Sequence, residues 1–338
     1  MTGSHALMRQ RRRLVAVARR VRRSVAPRVS NGSVVLLYHR AADDSVDPWR
    51  LAVQPNHLTE HLEILAAHTR PTTAAGLQRA QDSGRIPPRT TLLTFDDGYA
   101  DLASEVAPRL RAAGVPATMF LVSGAIDRDR EFWWDALARV LLGPERGSGS
   151  LRLQIAGRTH HWELADDALR TGVHRQVWAT LRDRPPTERD HLAEEVLAWA
   201  GLPPQARETH RTLRSAELDR LARDDLIEIG AHTANHPRLA ALSPECQQRE
   251  IEDSRSALED FVSRPVTSFA YPHGGSDDVG STTPGTVRAA GFGTAYLATQ
   301  GRLRAQSDPY RLPRLFVEDM DGAGFAALLW RYAGIKVS

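Results

Sequence analysis

The 338-residue chain contains only one cysteine, Cys246. An intrachain disulfide and a cysteine-rich zinc site are therefore excluded, and any metal ion must be bound by histidine, aspartate or glutamate. The sequence also lacks an apolar stretch near the roughly 20 residues that a membrane-spanning helix requires, so we expect no such helix. The composition, 41% hydrophobic and 25% charged, is typical of a globular protein.

Acidic residues are absent from residues 1–30, a segment that contains nine arginines. The rest of the chain has fewer basic residues than its 41 acidic ones, although the formal charge of the whole chain is +3. We therefore divide the chain into a basic N-terminal arm, residues 1–30, and a folded domain, residues 31–338.

Two interpretations of the arm remain open. Apolar residues recur in it near helical spacing, at Leu14, Val17, Val21 and Val25. This pattern is typical of a basic amphipathic helix on an anionic membrane surface, but a solvated arm without fixed structure fits the composition equally well. A secretory signal is disfavoured because the apolar run is short and is followed by arginines. We expect a cytoplasmic protein, peripheral on the inner face of the membrane under the first interpretation.

Short apolar runs alternate with helical patterns along the folded domain. Six runs predict buried parallel strands: 34–37, 91–95, 117–122, 227–231, 268–271 and 294–297. The alternation predicts an α/β fold whose parallel sheet is open or closed into a barrel. A segment at about 143–214 interrupts it with a predicted hairpin and polar helices, which we interpret as an insertion that covers one end of the barrel.

Two adjacent carboxylates follow the second predicted strand. The sequence TFDDGY at 94–99 places Asp96 and Asp97 where parallel α/β folds carry their active sites. Adjacent acids repel each other unless a cation compensates their charge. Taken alone, the pattern favours a helix cap at Asp97 over a functional site.

Two histidines follow another predicted strand, and together with the carboxylates they favour a functional site over a helix cap. The sequence GAHTANHP at 230–237 places His232 and His236 four residues apart, on one face if the segment turns helically. Two histidines and one carboxylate leave coordination positions open for water and substrate, as in catalytic zinc sites. The same ligand set suits non-heme iron oxygenases.

These motifs, together with FAYPHGG at 269–275, occur in the order found in the polysaccharide deacetylase family (NodB homology domain, carbohydrate esterase family 4). The chain resembles this family over roughly residues 34–314, and it is most similar to the branch that deacetylates the exopolysaccharide poly-N-acetylglucosamine. The resemblance implies a distorted (β/α)7 barrel in which Asp97, His232 and His236 bind a divalent metal. Asp96 would be the general base. Zinc is the expected ion, although Co²⁺, Ni²⁺ or Fe²⁺ suits the same ligands.

The resemblance also implies the remaining catalytic groups. The backbone N–H that follows Pro272, that of His273, would stabilise the oxyanion. The family's usual acid, a histidine in an L-x-H motif, is missing from the stretch Leu312-Pro313-Arg314. In the exopolysaccharide branch an N-terminal histidine is the acid, and here it corresponds to His39. His39 would lie near the missing residue because the first and last strands of a closed barrel are neighbours.

Two alternatives to this assignment stay open. His39 could be a structural histidine at a strand end, and His273 is the second candidate for the acid. Many family members also carry an arginine that pairs with the base, but the corresponding residue here is Ala270. Asp96 must therefore be oriented by another group or by the metal alone.

Sugar-binding residues are predicted from aromatic and polar side chains near the motifs. Trp133, Trp134 and Asp135 could form the wall of a subsite, although either tryptophan taken alone fits the core better. Tyr99 could line the cleft, and Leu312 could pack against the acetyl methyl group.

We expect the hydrolytic removal of N-acetyl groups from a carbohydrate. A catalytically impaired carbohydrate-binding homologue and a deacylase or deformylase of a lipid-linked sugar are the alternatives. An iron oxygenase is disfavoured because the aspartate lies far before the histidines instead of in an H-x-D motif. We expect a carbohydrate substrate and no nucleic-acid partner, and the sequence does not specify an oligomeric state.

Overall fold

The structure is a computed structural model that describes residues 32–337. The predictions for the N-terminal arm, its amphipathic helix included, lie outside these residues. Within the described range, no helix is long and apolar enough to cross a membrane.

Twelve strands occur in the described part of the chain. In chain order they are β1 (Val34–Tyr38), β2 (Arg40–Ala41), β3 (Ala52–Val53), β4 (Arg70–Thr72), β5 (Thr90–Phe95), β6 (Ala117–Leu121), β7 (Ser150–Ile155), β8 (Arg158–Glu163), β9 (Ile227–Ala231), β10 (Ser268–Ala270), β11 (Thr294–Tyr296) and β12 (Leu315–Phe316). All six predicted strands are confirmed, each within one residue at either end. The short strands β2, β3, β4 and β12 were not predicted.

The main sheet is parallel and has the strand order β11-β10-β9-β6-β5-β1-β12, with β4 also paired to β5. The segment just before β12 joins the two ends of this path: the Leu312 N–H donates to Ala295 O at 3.0 Å, and the Leu297 N–H donates to Leu312 O at 2.8 Å. The predicted distorted barrel is therefore confirmed, and its seventh strand is the two-residue β12.

Ten α-helices occur in the same range. In chain order they are α1 (Pro55–His68), α2 (Ala74–Asp82), α3 (Ala107–Ala113), α4 (Trp133–Leu141), α5 (Asp167–Arg182), α6 (Pro186–Trp199), α7 (Ser215–Ala222), α8 (Pro244–Val262), α9 (Thr283–Ala289) and α10 (Gly322–Ala333). Local chemistry sets their ends. For example, the Ser243 hydroxyl caps α8 by accepting from the Cys246 N–H, and Gly114 ends α3 in the left-handed conformation.

The predicted insertion contains the hairpin β7–β8 and the helices α5 and α6. These helices are less polar than the sequence suggested, because they bury Val173, Val177, Leu181, Leu192 and Val196. The apolar side chains pack with those of α4 and β7 in a second hydrophobic core, separate from the core of the barrel. The insertion therefore shares this second core with α4 and with Tyr99 and Val122 of the barrel.

Candidate active site

Asp96 and Asp97 lie at the carboxyl end of β5, and each is only 2% exposed. Asp97 adopts a left-handed backbone conformation with φ 74°, and Gly98 follows with φ 98°. A left-handed residue at this position breaks the strand and turns the second side chain away from the first. The two carboxylates consequently have different partners, Arg314 for Asp96 and the histidines for Asp97.

His232 and His236 lie in the loop that follows β9, and both are buried. The loop is not the helical turn that would place them on one face, because Thr233 and His236 are left-handed, with φ 65° and 54°. The Thr233 hydroxyl accepts from the His236 N–H at 2.9 Å, which closes a tight turn. This turn still brings the two imidazoles together, with ring centroids 4.9 Å apart.

Three predicted metal ligands converge at this point. Asp97 Oδ1 lies 3.6 Å from His232 Nε2 and 3.5 Å from His236 Nε2. One potential ligand atom from each residue lies within 4.8 Å of the other two. His232 Nδ1 lies 2.7 Å from the Ala270 carbonyl oxygen, which can only accept. Nδ1 therefore carries the proton, and the Nε2 lone pair faces Asp97.

The charge state of this cluster fits a cation. Asp97 Oδ1 is buried without a hydrogen-bond partner. Burial, and then the neighbouring charge of Asp96, raise the pKa of Asp97 well above its ordinary value. Burial also lowers the pKa of His232 and His236, so both imidazoles are neutral, the form that binds metals. The residues present therefore fit a divalent ion held by Asp97, His232 and His236.

Arg314 is a partner of Asp96 that the sequence analysis missed. Its two terminal nitrogens donate to the two Asp96 carboxylate oxygens, each at 2.7 Å, and its side chain is fully buried. Burial would raise the pKa of Asp96, but the charge of Arg314 and its hydrogen bonds oppose this effect, and the net pKa lies below the ordinary value. The signal was present as two departures from the family motifs, an arginine lost at Ala270 and an arginine gained at 314.

His39 follows β1 and lines the same cavity as the metal-ligand candidates. Its ring packs edge-on against Phe316 of β12, with centroids 5.6 Å apart, as expected if the first and last strands are neighbours. Its Nδ1 atom is buried without a hydrogen-bond partner. Burial lowers the pKa of His39 to about 4, although Asp96 opposes this shift.

His273 also lines the cavity, in a turn directly after Pro272. The Gly274 N–H donates to the Pro272 carbonyl oxygen at 2.6 Å, and His273 is left-handed with φ 60°. Within the described residues, the His273 backbone N–H has no backbone or side-chain acceptor. The ring lies 4.9 Å from that of His236, and burial lowers the pKa of His273 to about 3.

The cavity above these groups has a volume of about 360 Å³, and its walls are strongly aromatic. Trp134 lines it, as do Trp49 and Trp178, which the sequence analysis did not single out. Trp178 belongs to α5 of the insertion, and its ring lies 4.4 Å from that of Trp49 and edge-on to His273. The insertion therefore forms one wall of the cavity.

The other predicted sugar contacts do not line this cavity. Tyr99 is fully buried, and its hydroxyl donates to Asp135 at 2.6 Å while it accepts from the Trp134 indole at 2.8 Å. Trp133 and Leu312 are also buried, at 2% and 0% exposed. Pro272 lies in the turn beneath the cavity, between Tyr271 and His273, which do line it. The Tyr99 network instead supports Trp134, whose ring packs against that of His236.

A buried arginine of the insertion holds the histidine loop. Arg189 of α6 is 2% exposed and donates to the carbonyl oxygens of Asn235 and His236 at 2.8 and 3.0 Å. Left-handed conformations of residues other than glycine cost about 1 kcal/mol or more, and such contacts can offset that cost. Arg189 is therefore a positioning residue for His236.

Comparison with known proteins agrees with this fold. A sequence model described as polysaccharide deacetylase matches residues 83–176 and 197–291, more than half of the chain. A 99-residue segment, 29% of the chain, is 30% identical to poly-beta-1,6-N-acetyl-D-glucosamine N-deacetylase of Escherichia coli, but it spans only 15% of that enzyme.

Two solved structures share the fold. The Streptococcus pyogenes deacetylase PplD, in complex with acetate, has a TM-score of 0.58 at 16% identity, over 89% of this chain and 98% of that one. IcaB from Ammonifex degensii has a TM-score of 0.50 at 19% identity, over 85% and 91% of the two chains.

A parallel barrel with these motifs at the carboxyl ends of its strands defines a deacetylase-type hydrolase. The chain belongs to the polysaccharide deacetylase family. The predicted family and fold are thereby confirmed, and the E. coli match agrees with the predicted likeness to the poly-N-acetylglucosamine branch.

The Asp96–Arg314 pair predicts a shift in the pH dependence of hydrolysis. In Arg314→Gln the carboxylate loses its main opposing cation, so the pKa of Asp96 rises and the deprotonated base is lost at higher pH. We expect kcat to fall about tenfold or more and the acidic limb of the pH–rate profile to move upward. Arg314→Lys, which keeps a positive charge beside Asp96, should move the acidic limb part of the way back toward the wild-type position. The exposed Arg158→Gln is the control, and an unmoved acidic limb in Arg314→Gln would contradict this role.

Proposed function

We propose that this chain is a metal-dependent N-deacetylase that hydrolyses the acetamido group of N-acetylhexosamine units in a carbohydrate. The observation that carries the proposal is the convergence of Asp97, His232 and His236 beside a separately paired carboxylate, Asp96. This arrangement provides a place for a cation and a base next to it, which amide hydrolysis requires at neutral pH.

Asp97, His232 and His236 would hold the metal, with zinc as the expected ion and Co²⁺, Ni²⁺ or Fe²⁺ as alternatives. When bound, a divalent ion would polarise the acetyl carbonyl and lower the pKa of a water molecule to about 7. Binding would release the proton that the high pKa of Asp97 favours in the empty cluster. Metal affinity should therefore fall as the pH falls.

Asp96 is the base that accepts a proton from the attacking water. Arg314 keeps this carboxylate ionised and fixes the direction of its oxygens through two parallel hydrogen bonds. The remaining contact, His232 Nε2 at 3.8 Å from Asp96 Oδ2, places the base beside the ligand cluster. Arg314 thus acts as a positioning residue for the base.

The His273 N–H donates to the oxyanion that forms on the acetyl oxygen. This donor has no protein acceptor within the described residues, so no hydrogen bond has to break before it acts. His39 protonates the leaving amine. Its pKa of about 4 means that it is neutral at rest, so it must first take up a proton from solvent, which it then gives to the amine as the C–N bond breaks.

The aromatic wall of Trp49, Trp134 and Trp178 supports a sugar as the substrate. Flat aromatic faces pack against the apolar faces of pyranose rings, and these tryptophans line the same cavity as the ligand cluster. Both Trp49 and Trp178 lie outside the residues that the family model matches. We propose a polymer containing N-acetylhexosamine as the substrate, in line with the activity named for the E. coli relative.

Asp96→Asn tests the proposed chemistry. The amide keeps the shape of the carboxylate but cannot accept the proton, so acetate release from N-acetylated oligosaccharides should fall at least about a hundredfold. The variant should retain the bound metal, because Asp96 is not a ligand. The exposed Asp219→Asn is the matched control. Chelation should abolish activity and added zinc should restore it; sugar binding without acetate release by the wild type would instead indicate a catalytically impaired homologue.

His39→Ala tests the proposed acid. We expect kcat to fall about a hundredfold or more for sugar substrates, whose leaving amine needs a proton, without a change in metal content. For an anilide substrate, which has a better leaving group, the fall in kcat of His39→Ala should be smaller than for the sugar substrates. The exposed His191→Ala is the control, and a kcat near that of the wild type would transfer the role to His273.

Trp178→Ala tests the aromatic wall. Removal of the ring should raise KM for N-acetylated oligosaccharides roughly fivefold to tenfold and change kcat little, because the ring contacts the sugar and not the reacting atoms. Trp162→Ala, in hairpin strand β8 of the same insertion, is the matched control because it does not line the cavity. An unchanged KM in Trp178→Ala would exclude this wall as a subsite.

A further inference from the structure

A second cavity lies at the opposite end of the barrel from the candidate active site. It has a volume of about 450 Å³, and Gly32 and Ser33, which precede β1, form part of its wall. The other walls come from the loop after α2 and from the segment around residues 302–305. Because the strands are parallel, their amino-terminal ends point to this cavity and their carboxyl ends point to the active site.

Three arginines surround this cavity, which we call the basal groove: Arg85, Arg302 and Arg304. All three are exposed, and no acidic side chain lines the groove. None of the three takes part in a salt bridge within residues 32–337. The groove therefore concentrates positive charge that the described protein does not neutralise.

The floor of the basal groove is apolar and fixed in place. Ile86, Leu303 and Tyr332 line it, and Leu303 is only 7% exposed. Leu303 pairs with Ser33 in an antiparallel bridge, and the Gly32 N–H donates to the Ala333 carbonyl oxygen at 2.8 Å. A ligand that fits this site has an anionic group for the guanidinium rim and an apolar part for the floor.

Gly32, the first described residue, is part of the groove wall. In the sequence it is preceded by the basic segment 1–30, which has nine arginines and no acid. Two further exposed cations, Arg331 and Lys336, flank the same end at the close of α10. Within residues 32–337, positive charge from separate segments therefore collects at this pole of the barrel.

We propose that this pole docks on an anionic phospholipid bilayer and that the basal groove takes a lipid headgroup. The guanidinium groups would bind the lipid phosphate, and the apolar floor would contact the glycerol and the start of the acyl chains. A nucleic acid would match the charge but would make no use of the apolar floor. In this orientation the active-site cavity faces away from the bilayer, toward soluble or extended carbohydrate.

Vesicle cosedimentation of the full-length chain tests this proposal. Phosphatidylcholine vesicles with and without phosphatidylglycerol are compared for the wild type and for the triple variant Arg85→Gln/Arg302→Gln/Arg304→Gln. The wild type should bind only the anionic vesicles, more weakly as salt rises. The partition coefficient of the triple variant for anionic vesicles should fall roughly tenfold to a hundredfold, because each arginine near an anionic surface contributes to the free energy of binding.

The matched control is Arg152→Gln/Arg158→Gln/Arg175→Gln, which removes three exposed arginines of the insertion and so changes the net charge equally. Its partitioning should remain much nearer to the wild-type value. Equal losses in the two triple variants would overturn the groove as a headgroup site. Equal binding to neutral vesicles, or tighter binding to duplex DNA at the same ionic strength, would overturn the bilayer as the partner.

Discussion

Two neighbouring carboxylates are buried side by side at the end of β5, and this constraint organises the site. Each needs a positive partner, because two unpaired buried charges at this distance would be too costly to keep. Arg314 supplies one partner from within the chain, through two hydrogen bonds to Asp96. Asp97 has no such partner and instead faces two neutral imidazoles, a setting that fits a proton or a bound cation.

The surrounding loops hold this geometry by means of unusual backbone conformations. Asp97, Thr233, His236 and His273 are all left-handed; Asp97, His236 and His273 line the cavity, and Thr233 closes the turn between the two histidines. Such strained backbone conformations persist only where contacts with neighbouring residues hold them in place. The insertion supplies one such contact through Arg189 and one cavity wall through Trp178, so it both supports the histidine loop and shapes the entrance.

The sequence predicted the strands, the family and the convergence of Asp97 with the two histidines, because these features depend on local patterns and on short motifs. It did not predict the pairing of Arg314 with Asp96, since residues more than two hundred positions apart are joined only by closure of the barrel. The sequence also did not show that Tyr99 and Asp135 lie outside the cavity lining. Both are polar side chains near a motif, but they form a hydrogen bond with each other. Burial of this kind is decided by tertiary packing rather than by composition.

The central claim is that one hydrolytic ion is bound by Asp97, His232 and His236, while Asp96 remains with Arg314. Anomalous diffraction at the zinc edge, from crystals of the full chain grown with zinc, tests it most directly. We predict one strong peak about 2 Å from Asp97 Oδ1 and from both Nε2 atoms, with the Asp96–Arg314 pair intact. A peak elsewhere, or an ion bound by Asp96 after separation from Arg314, would contradict the account.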